Sequence, residues 1–102
     1  MSNNMQFEDI KFEQLETPKG IQAFLDFDPY KLSIVQHEAS YGGSVGMYEI
    51  GVFKNKKLVE MPGVTRDGDT VKGYLTEDDV MCVIRKMQLL HLASNKEPSN
   101  DS

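Results

Sequence analysis

The sequence predicts an α+β fold, an antiparallel β-meander of four to five strands covered on one face by a C-terminal α-helix. Three observations predict it. From Phe12 to about Val71 the apolar residues alternate with period two, as half-buried strands require. Turn sequences bearing Pro, Gly or Asn punctuate that stretch at short intervals. The period then changes to i, i+3, i+4, i+7, the mark of a helix with one apolar stripe.

The strands follow in order. "IQAFLDF" puts Ile21, Ala23, Leu25 and Phe27 on one face, with Gln22, Phe24 and Asp26 opposite. "YKLSIVQ" groups Tyr30, Leu32 and Ile34, and "MYEIGVF" groups Tyr48, Ile50 and Val52 against Met47, Glu49, Gly51 and Phe53. Thr17-Pro18-Lys19-Gly20 has Pro second and Gly fourth, as a type I turn prefers, and Asp28-Pro29-Tyr30-Lys31 reads as a second such turn. Asn55-Lys56 closes a third hairpin into "KLVEM". Residues 7–16 read as either strand or helix, and 61–73 carry no deciding pattern.

In "YLTEDDVMCVIRKMQLLHLAS" the stripe is Val80, Val83, Ile84, Met87, Leu90 and Leu92, over a helix from about Glu77 to Ala93. Thr76 stands at the N-cap and Asp79 three residues later, a near capping box. Glu77, Asp78 and Asp79 meet the positive end of the helix dipole, while Arg85, Lys86 and His91 follow. The only surface on which this stripe can be buried is the sheet, at a face including Leu25, Ile34, Ile50 and Val52.

A length of 102 residues gives one domain, expected over 7–93, with a flexible N-terminus at 1–6 and a disordered tail at 94–102. A net charge of −5 counts against direct nucleic-acid binding, which rests on clustered Lys and Arg. One cysteine, Cys82, excludes an internal disulfide framework and fits a reducing cytoplasm. No stretch approaches the about 20 apolar residues of a membrane span, and Met1 to Gln6 lacks the pattern of a secretory signal.

The glycine-rich loop in "SYGGSVGMYEIGVF" is the first candidate for chemistry. A kinase-type G-x-G-x-x-G loop would need glycine where Tyr41 stands, and no Gly-Lys-Ser/Thr of a P-loop follows. The glycines read as a corner in which they supply positive φ. His37 and His91 belong to no ligand-spaced cluster, and Cys82 reads as a packing residue within the helix. "RDGDT" has Lys72 where a calcium loop needs Gly, so Asp67-Gly68 reads as a turn. The acids at the helix start read as a charged first turn. The expectation is a non-enzymatic protein with no cofactor and no metal.

Two segments carry a resemblance. Tyr41, Gly42, Gly43, Gly46, Tyr48 and Glu49, followed by Gly73, Tyr74, Leu75, Thr76 and Glu77, resemble a pair recurring in small uncharacterised proteins of tailed bacteriophages. The likeness spans roughly residues 21 to 92, and "MPGVTRDGDTVKG" is longer than the equivalent loop. The resemblance implies phage or prophage origin and an accessory role in the bacterial host cytoplasm; no activity comes with it.

A small phage protein of this kind is expected to bind a host protein. Two contact surfaces offer themselves: the loop at Tyr41, Gly42, Gly43 and Ser44, and the sheet face opposite the helix, where Phe24 and Phe53 project. Tyr41 is either a contact residue or a core residue closing the sheet. One alternative is a homo-oligomer using the same face. The other is an acidic DNA mimic built on Glu8, Asp9, Glu13, Glu16, Asp26 and Asp28, which the basic Lys54 to Lys57 hairpin dilutes.

Overall fold

Six strands, against the four to five expected, and one long C-terminal helix form in the computed structural model, which describes residues 5–96. Of the expected tails, residues 1–4 and 97–102 lie outside the described residues. The strands are β1 (Glu13–Glu16), β2 (Lys19–Phe27), β3 (Tyr30–His37), β4 (Tyr48–Lys54), β5 (Lys57–Leu58) and β6 (Val71–Leu75); α1 runs Glu77–Lys96. β1 to β4 are adjacent antiparallel neighbours. β5 and β6 both pair with β4, β5 at Phe53–Lys54 and β6 along Tyr48–Gly51.

The hairpin turns sit one residue earlier than their sequences predict. Glu16 pairs with Lys19 and Phe27 with Tyr30, leaving Thr17-Pro18 and Asp28-Pro29 as two-residue loops. Each proline is third in its turn, after a cis peptide bond, which is the type VI arrangement and not type I. The third hairpin forms as expected: Asn55 and Lys56 both have positive φ, as a type I′ turn needs. "KLVEM" contributes only Lys57–Leu58 to the sheet, plus one bond from Val59 N–H to the Val52 carbonyl at 2.9 Å.

The alternation decides the core. Ala23, Phe27, Leu32, Ile34, Tyr48, Ile50 and Val52 share the face that α1 covers and are buried. From the helix, Val80, Val83, Ile84 and Met87 enter the same cluster, each contributing about 1.5–3 kcal/mol of burial. The capping box is present: Thr76 N–H donates to Asp79 Oδ2 at 3.0 Å, and Asp79 N–H donates to Thr76 Oγ1 at 3.1 Å.

The predicted stripe is too long. Leu90 and Leu92 are 48% and 54% exposed. Leu90 lies where the helix reaches the β2–β3 turn, beside His91, whose Nδ1–H meets the Asp28 carbonyl at 3.0 Å. Leu92 lies roughly 120° around the helix from Val80, off the stripe. Cys82 is likewise exposed rather than packed, because it lies roughly 200° around the helix from Val80.

Residues 7–16 are both of the alternatives: a short 3-10 turn at Phe7–Asp9, then β1. Phe7, Phe12 and Tyr48 form a three-ring cluster with centroids 5.3 to 5.9 Å apart, and buried Ile10 sits beside it in the core. Of residues 61–73, the stretch up to 70 folds as two tight turns and 71–73 begin β6. Thr65 Oγ1 accepts Met61 N–H at 2.9 Å, and Asp69 N–H returns to the Arg66 carbonyl at 2.8 Å across Asp67-Gly68.

Candidate interaction surface

The register maps the sheet face that α1 leaves open. One row across it is Asp26, Lys31, Phe53, Leu58; the next is Phe24, Ser33, Gly51, Val71. The second row has small residues in the middle and large ones at both ends. Ser33 and Gly51 are therefore buried on a face that no other element among the described residues covers, overhung by their neighbours. A Cβ on Gly51 would meet Leu58 Cδ2 at 3.2 Å and Val71 Cγ1 at 3.3 Å. Ser33 Oγ is satisfied by Gln22 Nε2–H at 3.3 Å. The result is a shallow furrow with an apolar rim.

Phe24 and Phe53 stand on that rim, as their alternation predicts. Their rings meet edge to face at 6.3 Å, and Phe24 remains 51% exposed. They line a groove of about 580 Å³ together with Asp26, Asp28, Tyr30, Lys31 and Lys56. Lys31 Nζ lies 5.9 Å from the Phe24 ring centroid and 3.7 Å from Asp26 Oδ1. Both ends of that ion pair are well exposed, so it orients Lys31 more than it stabilises the fold.

The loop is the second predicted surface; Gly42 and Gly46 supply the expected positive φ, and Gly43 is required by close packing. Gly42 and Gly46 have φ of 94° and 79°. A Cβ on Gly43 would lie 1.9 Å from the His37 carbonyl oxygen, and one on Gly73 would lie 2.3 Å from Tyr41 Cβ. No phosphate is needed to explain them. Tyr41 is fastened by its backbone: its N–H donates to Glu49 Oε1 at 2.9 Å, and its carbonyl accepts Tyr74 N–H at 3.1 Å. Its ring is 59% exposed, which removes the core alternative. Ser44 is exposed and Gly42 is buried against the Tyr74 backbone.

Tyr74 was not among the predicted contact residues. Between Ile50 and Tyr48 the β4–β6 register slips, so that Gly73 and Tyr74 together face Glu49. This bulge carries Leu75 into the core and turns Tyr74 outward, 62% exposed and with φ of 57°. The available signal was Gly73 before an aromatic residue, since an isolated strand glycine marks a bulge or a close backbone approach. The structure thus brings Tyr41 and Tyr74, from the two resembling segments, side by side.

The two predicted surfaces are joined. Val71 lines both the Tyr41–Tyr74 hollow and the furrow, and Phe53 lines both the furrow and the Phe24 groove. The six acidic residues considered for DNA mimicry are exposed but divided, with Glu13, opposite Gln22, and Asp26, opposite Lys31, on the open face and Glu16 on the other.

Elsewhere, His37 and His91 lie toward opposite ends of β3; His37 Nδ1 accepts the Ala39 N–H at 3.1 Å. Among the described residues no group of three His, Cys, Asp or Glu is placed to hold a metal, and no helix is long and apolar enough to cross a membrane. Burial, and secondarily Glu77, pushes the Tyr48 phenol above its ordinary range, partly offset by a hydrogen bond from Gln36. The Thr76 backbone N–H, the Thr76 side chain and then Lys72 hold the Asp79 carboxyl below its ordinary range. Both shifts belong to the fold. Compared with protein-family models, curated proteins and solved structures, the chain matches none.

Proposed function

We propose that this protein acts without catalysis, as a phage-type accessory protein that binds a bacterial host protein through the open face of its sheet. The observation that carries the reading is the Phe24–Phe53 pair, two touching aromatic rings at the rim of a furrow on an uncovered face. Aromatic residues flanked by polar and charged groups are the usual energetic centre of a protein interface. The phage-type origin and the host partner rest on the resemblance of the Tyr41–Gly43 and Gly73–Glu77 segments.

The test is capture from bacterial lysate with the intact chain and with a Phe24→Ser/Phe53→Ser double variant. A partner retained by the first and lost by the second, with both chains giving the same circular dichroism, is the expected result. Equal retention by both chains removes the open face from the interface.

A second copy of the chain is the alternative occupant. It is favoured by the groove carrying Asp26 and Asp28 as well as Lys31 and Lys56, so that two copies could pair acid with base. Light scattering on the purified chain separates the two, since a stable dimer at micromolar concentration would replace the host-binding reading. DNA mimicry is less favoured because its carboxylates are divided between faces.

A further inference from the structure

We propose that the hollow between Tyr41 and Arg66, on the side of β6 away from β4, receives a carboxylate from an acidic segment of the partner protein. This rests on the reading that the chain works by binding a protein, and it names the chemistry of one end of that contact.

Among the described residues β6 pairs with β4 alone, so its other side is the sheet edge there. Two clips hold chain against that strand. Tyr74 N–H donates to the Tyr41 carbonyl at 3.1 Å, and Arg66 N–H donates to the Val71 carbonyl at 3.1 Å. Between the clips lie Lys72 and Gly73, and there a hollow of about 480 Å³ opens, with both tyrosines in its lining. Gly73 lets Tyr41 pack directly on the strand, since a Cβ there would lie 2.3 Å from Tyr41 Cβ, and the bulge aims Tyr74 outward beside it.

The charges around it are unequally committed. Glu49 accepts Tyr41 N–H, Asp69 accepts Thr70 N–H at 2.7 Å and Glu60 accepts Gly68 N–H at 2.9 Å. These carboxylates already serve the chain's own backbone. The Arg66 guanidinium, by contrast, is held by no ion pair or hydrogen bond among the described residues. Lys72 adds a second cation to the same lining, although Asp79 shares its field. A guanidinium fork matches a carboxylate with two parallel hydrogen bonds, and phenol hydroxyls nearby add donors. On a chain of net charge −5 the lining holds two cations, Arg66 and Lys72, against one carboxylate, Asp69, which already accepts a backbone N–H. The uncommitted charge is therefore cationic and favours an acidic ligand over a basic one.

The test uses the isotope-labelled full chain and two short capped peptides, one alternating glutamate with leucine and one alternating glutamine with leucine. The acidic peptide should shift the backbone amide signals of Tyr41, Arg66, Gly73 and Tyr74 saturably. The glutamine peptide should bind about tenfold more weakly or worse. Arg66→Glu should lose the acidic peptide while its remaining amide signals keep their positions. Equal binding of the two peptides, shifts confined to other residues, no shift at all, or undiminished binding by Arg66→Glu would each overturn the proposal. In lysate capture, a partner lost by the Phe24→Ser/Phe53→Ser chain but fully kept by Arg66→Glu would sink this anchor and leave the binding reading standing.

Discussion

The two faces of β2, β3 and β4 share one hydrogen-bond ladder, yet they are built to opposite rules. On the closed face, Leu32, Ile34, Ile50 and Val52 fill the middle and are fully buried beneath α1. On the open face one central row holds only Ser33 and Gly51, with bulk at its ends in Phe24 and Val71. Buried Val35 and the row of Lys31, Phe53 and Leu58 stand on either side of it. A core is filled from its centre, because a central void costs contacts on every side. A docking face can leave its centre hollow, since the missing atoms arrive with the partner. Glycine within a strand weakens it and leaves nothing to pack, so Gly51 is explained by what approaches it.

The largest expected effect tests the closed face. Ile84 is fully buried between the sheet and α1, so Ile84→Ala should cost about 2–5 kcal/mol through lost burial and a residual cavity. Leu90, six residues on, overhangs the sheet, and Leu90→Ala should change stability by less than about 0.5 kcal/mol. Urea denaturation of the two variants measures both. Equal losses would mean that the helix is covered along its whole length and that the closed face is larger than described.

Next comes the loop at the edge of the open face. Ala at position 43 would press its Cβ into the His37 carbonyl, which is backbone and cannot turn aside. Gly43→Ala should cost about 1–3 kcal/mol, the range for overpacking. Gly46 has open space around it and only its positive φ to lose, so Gly46→Ala should cost about 1 kcal/mol. Thermal melts that ranked the two in the reverse order would remove the claim that close packing, rather than conformational freedom, requires the first glycine.

The helix that closes the other face begins at Thr76, whose hydroxyl and N–H both engage Asp79. Thr76→Ala should cost about 1 kcal/mol. The folded-state pKa of Asp79 is depressed, so its contribution is present above the unfolded value near 4 and is lost as pH falls through the folded value. Tyr48 carries the opposite sign. Its folded pKa is raised, so its contribution is complete below about pH 10 and is lost as pH rises beyond that. The backbone N–H of residue 76, the larger cause, survives in Thr76→Ala, so the acid limb should shrink only in part there, whereas Asp79→Asn should flatten the acid end and keep the alkaline fall. An unchanged acid limb in Asp79→Asn would detach the cap from the titration.

Most of the closed face was legible in the sequence, because alternation alone assigns Ala23, Leu32, Ile34, Ile50 and Val52 to one side. The helix start was legible for a local reason as well: a capping box is complete within four residues. β6 and the bulge were not. Val71 to Leu75 is short, its alternation slips at Gly73–Tyr74, and its partner β4 lies some twenty residues earlier. The prolines misled by one residue, since a type I frame and a cis-proline turn share the same composition and differ only in which residue is third. Leu90 continues a helical pattern whose end depends on where the sheet stops, which periodicity does not encode, whereas Leu92 stands roughly 120° from Val80 and a strict count of the helical period would have excluded it. Phe24 and Phe53 were placed correctly, but the furrow between them needed cross-strand neighbours and so the register.

The smallest expected effect on stability falls on Tyr41, and it separates the open face from the closed one most sharply. Everything by which the fold holds Tyr41 is backbone: its N–H to Glu49, its carbonyl to Tyr74. The ring carries no such bond and is mostly exposed, so Tyr41→Ala should leave both bonds in place and shift stability by about 0.5 kcal/mol or less. Tyr41 Cβ, the atom against which Gly73 packs, survives the substitution. Binding should respond differently. An aromatic anchor at an interface is worth about 1–3 kcal/mol, so the same variant should lose partner affinity by roughly ten- to a hundredfold while melting like the parent chain. Unfolding of Tyr41→Ala with affinity per folded molecule intact would put the ring in the core. Unchanged affinity in a stable variant would confine the contact to Phe24 and Phe53 and leave the loop as a corner.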